Sequence, residues 1–295
     1  MGPLLLTGLR AVATVFVAHA FIYALVGALP RTGIAVLGLS AAQESSLSHF
    51  LATTDPPESY LEALARLITM EFGKSLDGVA VSTLMAQSTL TSLPVLGLSL
   101  GITATTTMLV LVWPHLLAPR VVRGGFEFLT FLPAFVPAFV ILAVMVSLNQ
   151  TTLATDGWQR TVIASLSVSV MPTSLALTTI RDGFDHEMSM GYTRTLRAMG
   201  LSRGRIVANL RKAVVIQIIA IADKIVTLQI AVLIFTEVIF AIPGFGNALL
   251  LAAQRTDINA LIAFVVVISA TVATARLLST LVLARIDPRQ RVSEG

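Results

Sequence analysis

Four short stretches carry residue types at spacings that could do chemistry. Gly73-Lys74-Ser75 matches the end of a phosphate-binding loop. Such a loop needs another glycine five residues before the Gly-Lys pair, so that backbone N–H groups can wrap the phosphates. That position is Ile68. Gly200-Leu201-Ser202-Arg203-Gly204 has the G-x-S-x-G form of a hydrolase elbow, which requires a strand before it and acid and histidine partners. A helical, basic segment precedes it here, so Gly200 reads as a helix stop and Ser202 as the cap of the next helix. His186-Glu187 opens a zinc-protease pattern, but the second histidine position holds Met190. Gly244-Phe245-Gly246 is a fragment of a dinucleotide fingerprint whose third glycine position is Leu249. Pro243-Gly244 reads instead as a sharp turn. No cysteine is present, which excludes disulfides and thiolate metal sites. The other histidines, His19, His49 and His115, are scattered. The sequence predicts no catalytic group, no metal site and no ATPase.

The elements that must position any site are set by composition. Of 295 residues, 55% are hydrophobic and only 12% charged, with a mean hydropathy of +0.86. A soluble domain carries about 25% charged residues. This excludes a soluble enzyme and a disordered chain and predicts an all-α, multi-pass membrane protein. Six spans of about 20 apolar residues are expected, at 10–29, 88–112, 127–148, 161–180, 214–241 and 259–284. The first lacks a small-residue cleavage site and reads as a retained helix. The expected organisation is an N-terminal span over 1–29, an external segment over 30–87, a transmembrane core over 88–284 and a tail over 285–295. Within the external segment, Pro56-Pro57-Glu58 followed by Leu61, Leu64, Ala65, Leu67 and Ile68 predicts one amphipathic helix.

The net charge of +4 follows the orientation rule for membrane proteins and not nucleic-acid binding. With both termini in the cytoplasm, thirteen basic residues fall inside and five outside: Arg31, Arg66, Lys74, Arg160 and Arg255. Lys224 and Arg276 fall within spans, as does Asp223. Charge in a span is costly and usually faces protein or water. Asp223 and Arg276 lie at similar depth from the cytoplasmic ends and are expected to pair. Glu237 lies near the external end of the fifth span, where it could cap the turn or meet a partner.

The cytoplasmic loop 181–212 holds seven of the thirteen inside charges. A short helix is expected over 188–199, stopped by Gly200, and a second from Ser202 through Ile206, Val207 and Leu210. Such a helix either anchors at the headgroups or docks into a soluble partner.

Tyr192–Ser202 resembles the cytoplasmic loop of permease subunits of ABC importers, in the dipeptide/oligopeptide/nickel branch. The run from Glu237 to Gly246, with Leu249, Ala252, Arg255 and Asp257 after it, is similar to the same family. So are Asp287-Pro288-Arg289-Gln290-Arg291 and, more weakly, Phe72–Leu76. The resemblance covers about residues 70–291. It implies the type I ABC importer permease fold in a bacterial or archaeal inner membrane. It implies a second related permease, ABC ATPase subunits inside, and an external substrate-binding protein that delivers peptides or similar solutes. ATP and Mg would sit on the ATPase subunits, with no cofactor on this chain. Met188–Met199 would be the coupling element. Tyr192, Leu196 and Met199 would pack in the ATPase cleft, Arg194 and Arg197 would pair with acids, and Gly200 would end the helix. Glu237, Pro243, Gly244 and Gly246 would form an external turn. The competing class is a self-sufficient secondary transporter or channel, with Asp223 and Lys224 as ion-coupling candidates. A membrane enzyme lacks a constellation to carry it.

Overall fold

The computed structural model describes residues 3–28, 65, 68–69, 71–117, 120–147, 157–255 and 257–286. Among them the chain is helical, and the one β feature is an isolated bridge between Lys74 and Ala80. The helices are α1 (Pro3–Ala28), α2 (Val81–Val112), α3 (Arg120–Phe131), α4 (Val136–Ser147) and α5 (Gly157–Ser189). They continue as α6 (Gly191–Ala198), α7 (Arg203–Ala220), α8 (Ala222–Ile239), α9 (Phe245–Gln254) and α10 (Ile258–Ile286). In hydrocarbon every backbone polar group must be satisfied within the segment, so aliphatic runs of this length fold as helices. Several of their hydroxyls are satisfied locally too. Thr91, Thr107 and Thr236 each donate to the carbonyl four residues back.

α5 is the central helix. Two thirds (67%) of its most apolar window is buried, against 22% for α2 and 22% for α10. It packs on α2, α3, α4, α7 and α8, while α1 lies along α10. Three apolar clusters stack along the bundle. Val110, Leu177, Ile180, Phe184, Ile206 and Leu210 form one at the α6 end. Val95, Ala138, Met145, Val168, Val232 and Phe240 form the middle one. Val81, Met85, Phe245, Ala260 and Phe264 form the one at the opposite end, where the Phe245 and Phe264 rings meet edge to face at 4.8 Å.

Among the described residues, three helices, α2, α5 and α10, are long and apolar enough to cross a membrane alone, and up to five spans result if each bent pair counts as one. The first expected span falls on α1. The third, expected as continuous over 127–148, is broken. Its halves, Gly124–Phe131 and Val136–Ser147, meet at 108°. Pro133 lacks an N–H, and it pushes Leu132 out of the helical region. Phe126 of α3 packs on the cluster at the α6 end, and Ala138 and Met145 of α4 belong to the middle one. The fifth, expected over 214–241, starts at Arg203 and bends by 47° between α7 and α8. The expected amphipathic helix before residue 71 and the tail motif Asp287–Arg291 lie largely or wholly outside the described residues.

Candidate coupling surface and the buried carboxylate of the α8–α9 corner

The loop helix is shorter than its sequence suggests. Met188 and Ser189 belong to the last turn of α5, and α6 begins at Gly191. Across the break the Met190 N–H donates to the Glu187 carbonyl at 3.3 Å, and the Thr193 hydroxyl donates to the same carbonyl at 2.8 Å. Thr193 is fully buried. Gly200 ends α6 in the left-handed region at φ 79°, with Leu201 N–H returning to the Leu196 carbonyl at 3.3 Å. Ser202 takes the N-cap position of α7 but makes no side-chain capping bond.

α6 has two faces. Tyr192, Arg194, Arg197 and Met199 are exposed, Met199 at 71%. Leu196 is the exception among the expected partner contacts. It is partly buried and packs on the cluster at the α6 end of the bundle. The Tyr192 hydroxyl donates to the Glu187 carboxylate. Desolvation, and then that carboxylate, push the Tyr192 phenol above its ordinary pKa. The Arg197 guanidinium reaches the Met188 sulfur at 3.7 Å. The outward surface is thus an aromatic, a thioether and two cations on a short rigid helix.

The second site is the corner between α8 and α9. α8 ends in a turn in which the Ile242 N–H donates to the Glu237 carbonyl at 2.8 Å. Ala241 sits at φ 51°, the left-handed position that glycine usually fills at a helix end. The Glu237 side chain is fully buried. Its carboxylate accepts from the Ser92 hydroxyl of α2 and from the Gly246 N–H at 2.6 Å. The Phe245 N–H donates to Ser92 Oγ at 2.7 Å. The first orphan N–H groups of α9 are thereby satisfied by side chains from two other helices. Both glycines are explained by close approach. A Cβ on Gly244 would strike the Glu237 carboxylate, and one on Gly246 would strike the Ile234 backbone.

This turn is not at the end of the bundle. Ser92 lies eleven residues into α2, about 16 Å from its start at 1.5 Å per residue. α9 covers the remaining distance to the rim. The sequence assigned no role to Ser92. The available signal was the pair Ser88 and Ser92, one helical turn apart in an apolar run.

At the rim, Asp257 holds the weakly matched Phe72–Leu76 segment. Its carboxylate accepts from the Ser75 hydroxyl at 2.5 Å, the Leu76 N–H at 3.0 Å and the Ala260 N–H at 3.1 Å. Asn259 Nδ2 donates to the Lys74 carbonyl at 2.9 Å. The Gly-Lys-Ser stretch is therefore a turn pinned to the start of α10.

The intramembrane charges do not cluster. No ion pair joins Asp223 to Arg276. Among the described residues ion pairs form at Arg181–Glu127, Arg181–Asp182 and Arg255–Asp77. Lys224 and Arg276 are exposed and Asp223 is half-buried. Equal depth did not bring the two within ion-pair distance. An uncharged polar contact also links three helices inside the bundle. Thr103 Oγ1 of α2 accepts from Thr173 of α5 at 3.2 Å and from Gln229 Nε2 of α8 at 3.3 Å. Among the described residues no three His, Asp or Glu side chains are placed to hold a metal ion.

Residues 97–292 match the family described as binding-protein-dependent transport system inner membrane component. That is about two thirds of the chain, and the chain belongs to this family, whose members are transport components and not enzymes. Among relatives, it is 30% identical over 138 residues to the dipeptide transport system permease protein DppB of Escherichia coli strain K12, covering 46% of this chain and 40% of that one. It is 25% identical over 177 residues to DppB of Lactococcus lactis, covering 57% and 58%. It is 27% identical over 202 residues to the probable D,D-dipeptide transport system permease protein DdpB of Escherichia coli strain K12, covering 67% and 56%. The chain thus spans about half the length of these relatives.

Proposed function

We propose that this chain is one permease half of an ATP-driven importer for peptides or similar small solutes. A second, related permease completes the path. ABC ATPase subunits bind on the α6 side and an external binding protein delivers the solute. The observation that carries this reading is α6 itself: its outward face is free for a soluble partner, while Thr193 and Leu196 fix its other face to the bundle. Motion imposed on α6 passes into α5 and so to the helices packed on it, as rigid-body motion of packed elements.

Charge supports the orientation. Arg181, Arg194, Arg197, Arg203, Arg205, Arg211, Lys212 and Arg285 gather at the α6 end, and Lys74, Arg160 and Arg255 at the other. This charge bias supports a cytoplasmic α6 end, with both termini inside and 30–87 outside. The largely uncovered faces of α2 and α10 leave room for the second permease. The relatives named as dipeptide transport permeases support peptides as the class of solute. The test is purification of the tagged chain from its native membrane. An ATP-binding subunit should co-purify, and Arg197→Glu should lower solute-stimulated ATP hydrolysis with the permease still in the membrane. Solute uptake by the chain alone, with no ATPase recovered, would overturn the proposal.

A further inference from the structure

The contacts of the α8–α9 corner are unequal in a way that bears on how the external half of the path opens. Glu237 and Gly246 belong to one continuous stretch, and their bond holds α9 to the end of α8. Separating them would leave a buried carboxylate short of donors, a costly outcome in a low-dielectric site. Ser92 belongs to α2 and reaches this corner from across the bundle. A serine hydroxyl has one proton to give, and two acceptors lie within its reach. One is the Glu237 carboxylate. The other is the Ser88 carbonyl of its own helix, at 3.1 Å.

We propose that Ser92 is the releasable contact of an external gate: its hydroxyl fastens α2 to the α8–α9 corner in this state, and frees it by turning to the Ser88 carbonyl. This rests on the importer reading. On release Ser92 keeps a bond within α2, as serines inside helices commonly do. Two groups lose the Ser92 contact: the Glu237 carboxylate, which retains the Gly246 N–H, and the Phe245 N–H, and an opened, hydrated path would solvate both. Met85 and Val95, α2 residues of the two apolar clusters that meet near the corner, carry no directional bond. Ser92 is therefore a positioning residue for the transport cycle.

The test uses the full complex in lipid, with its ATPase and binding protein. Ser92→Ala should raise ATP hydrolysis in the absence of binding protein by about fivefold or more, and lower the solute moved per ATP by a similar factor. Ser92→Thr keeps a hydroxyl and should restore the ratio. In the wild-type complex, amide exchange at Phe245 should quicken when ATP and loaded binding protein are added, while Gly246 stays protected. An unchanged solute-to-ATP ratio in Ser92→Ala, or equal protection of Phe245 in both states, would overturn the gate. If Ser92→Ala fails to assemble, the wild-type exchange comparison still decides. Failure of any ATPase to associate with the wild-type chain would instead sink the importer reading.

Discussion

The Thr193 hydroxyl donates to the Glu187 carbonyl at 2.8 Å, across the break that separates α5 from α6. With the exposed Tyr192–Glu187 bond, it ties the first turn of the loop helix back to the long central one, and Thr193 is fully buried. Thr193→Val keeps the shape and removes the bond, at about 1 kcal/mol. The permease should still reach the membrane. Solute-stimulated ATP hydrolysis should fall severalfold. Unchanged stimulation would show that the loop moves without this tie.

Gly246→Ala should destabilise the chain by about 1–3 kcal/mol, the usual cost of overpacking. The added Cβ meets the Ile234 backbone, which cannot swing aside as a side chain would. Gly97→Ala is the control, since a Cβ there meets nothing within 4 Å. Thermal denaturation in detergent should separate the two variants.

The contact among Thr103, Thr173 and Gln229 is buried but incompletely satisfied, because the Gln229 carbonyl oxygen has no partner. Gln229→Leu should therefore lie within about 1 kcal/mol of wild type. Thr103→Val should cost about 1–3 kcal/mol, because it leaves the whole amide stranded. The double variant should recover much of that loss. A double-mutant cycle on thermal stability reads the difference.

Asp257→Asn replaces one accepting oxygen with an amide that cannot accept. One of the bonds to Ser75, Leu76 or Ala260 is lost, at about 1–3 kcal/mol for a buried acceptor site. The Lys74–Ala80 turn should loosen, and added protease should cut there faster. Arg255→Ala breaks only an exposed pair with Asp77 and should have little effect, about 0–1 kcal/mol.

Much of this architecture was readable from residue types. Length and apolarity placed α2, α5 and α10 within a few residues at most ends, and Gly200 and the basic loop marked α6. Pro133 signalled the break in the third span, but the flanking Phe131, Leu132, Ala134, Phe135 and Val136 read as one apolar run. The bend at Ile221 has no proline behind it and was not legible. Glu237 could be read as a cap because it precedes a Pro-Gly turn. Its depth could not, since that is fixed by Ser92, 145 residues earlier. The expected Asp223–Arg276 pair failed for a related reason. Distance along a helix axis is countable in sequence, and the angle around it depends on how the neighbours pack.

α5 runs for 33 residues, about 50 Å, against a hydrocarbon layer of about 30 Å. Pro172 and the Thr173 contact sit at its midpoint. A rod of that length acts as a lever with a ready pivot: a tilt of about 10° displaces each end by about 4 Å in opposite directions. A modest push on the overhang at the α6 end would thus be returned, reversed in sense, at the opposite end.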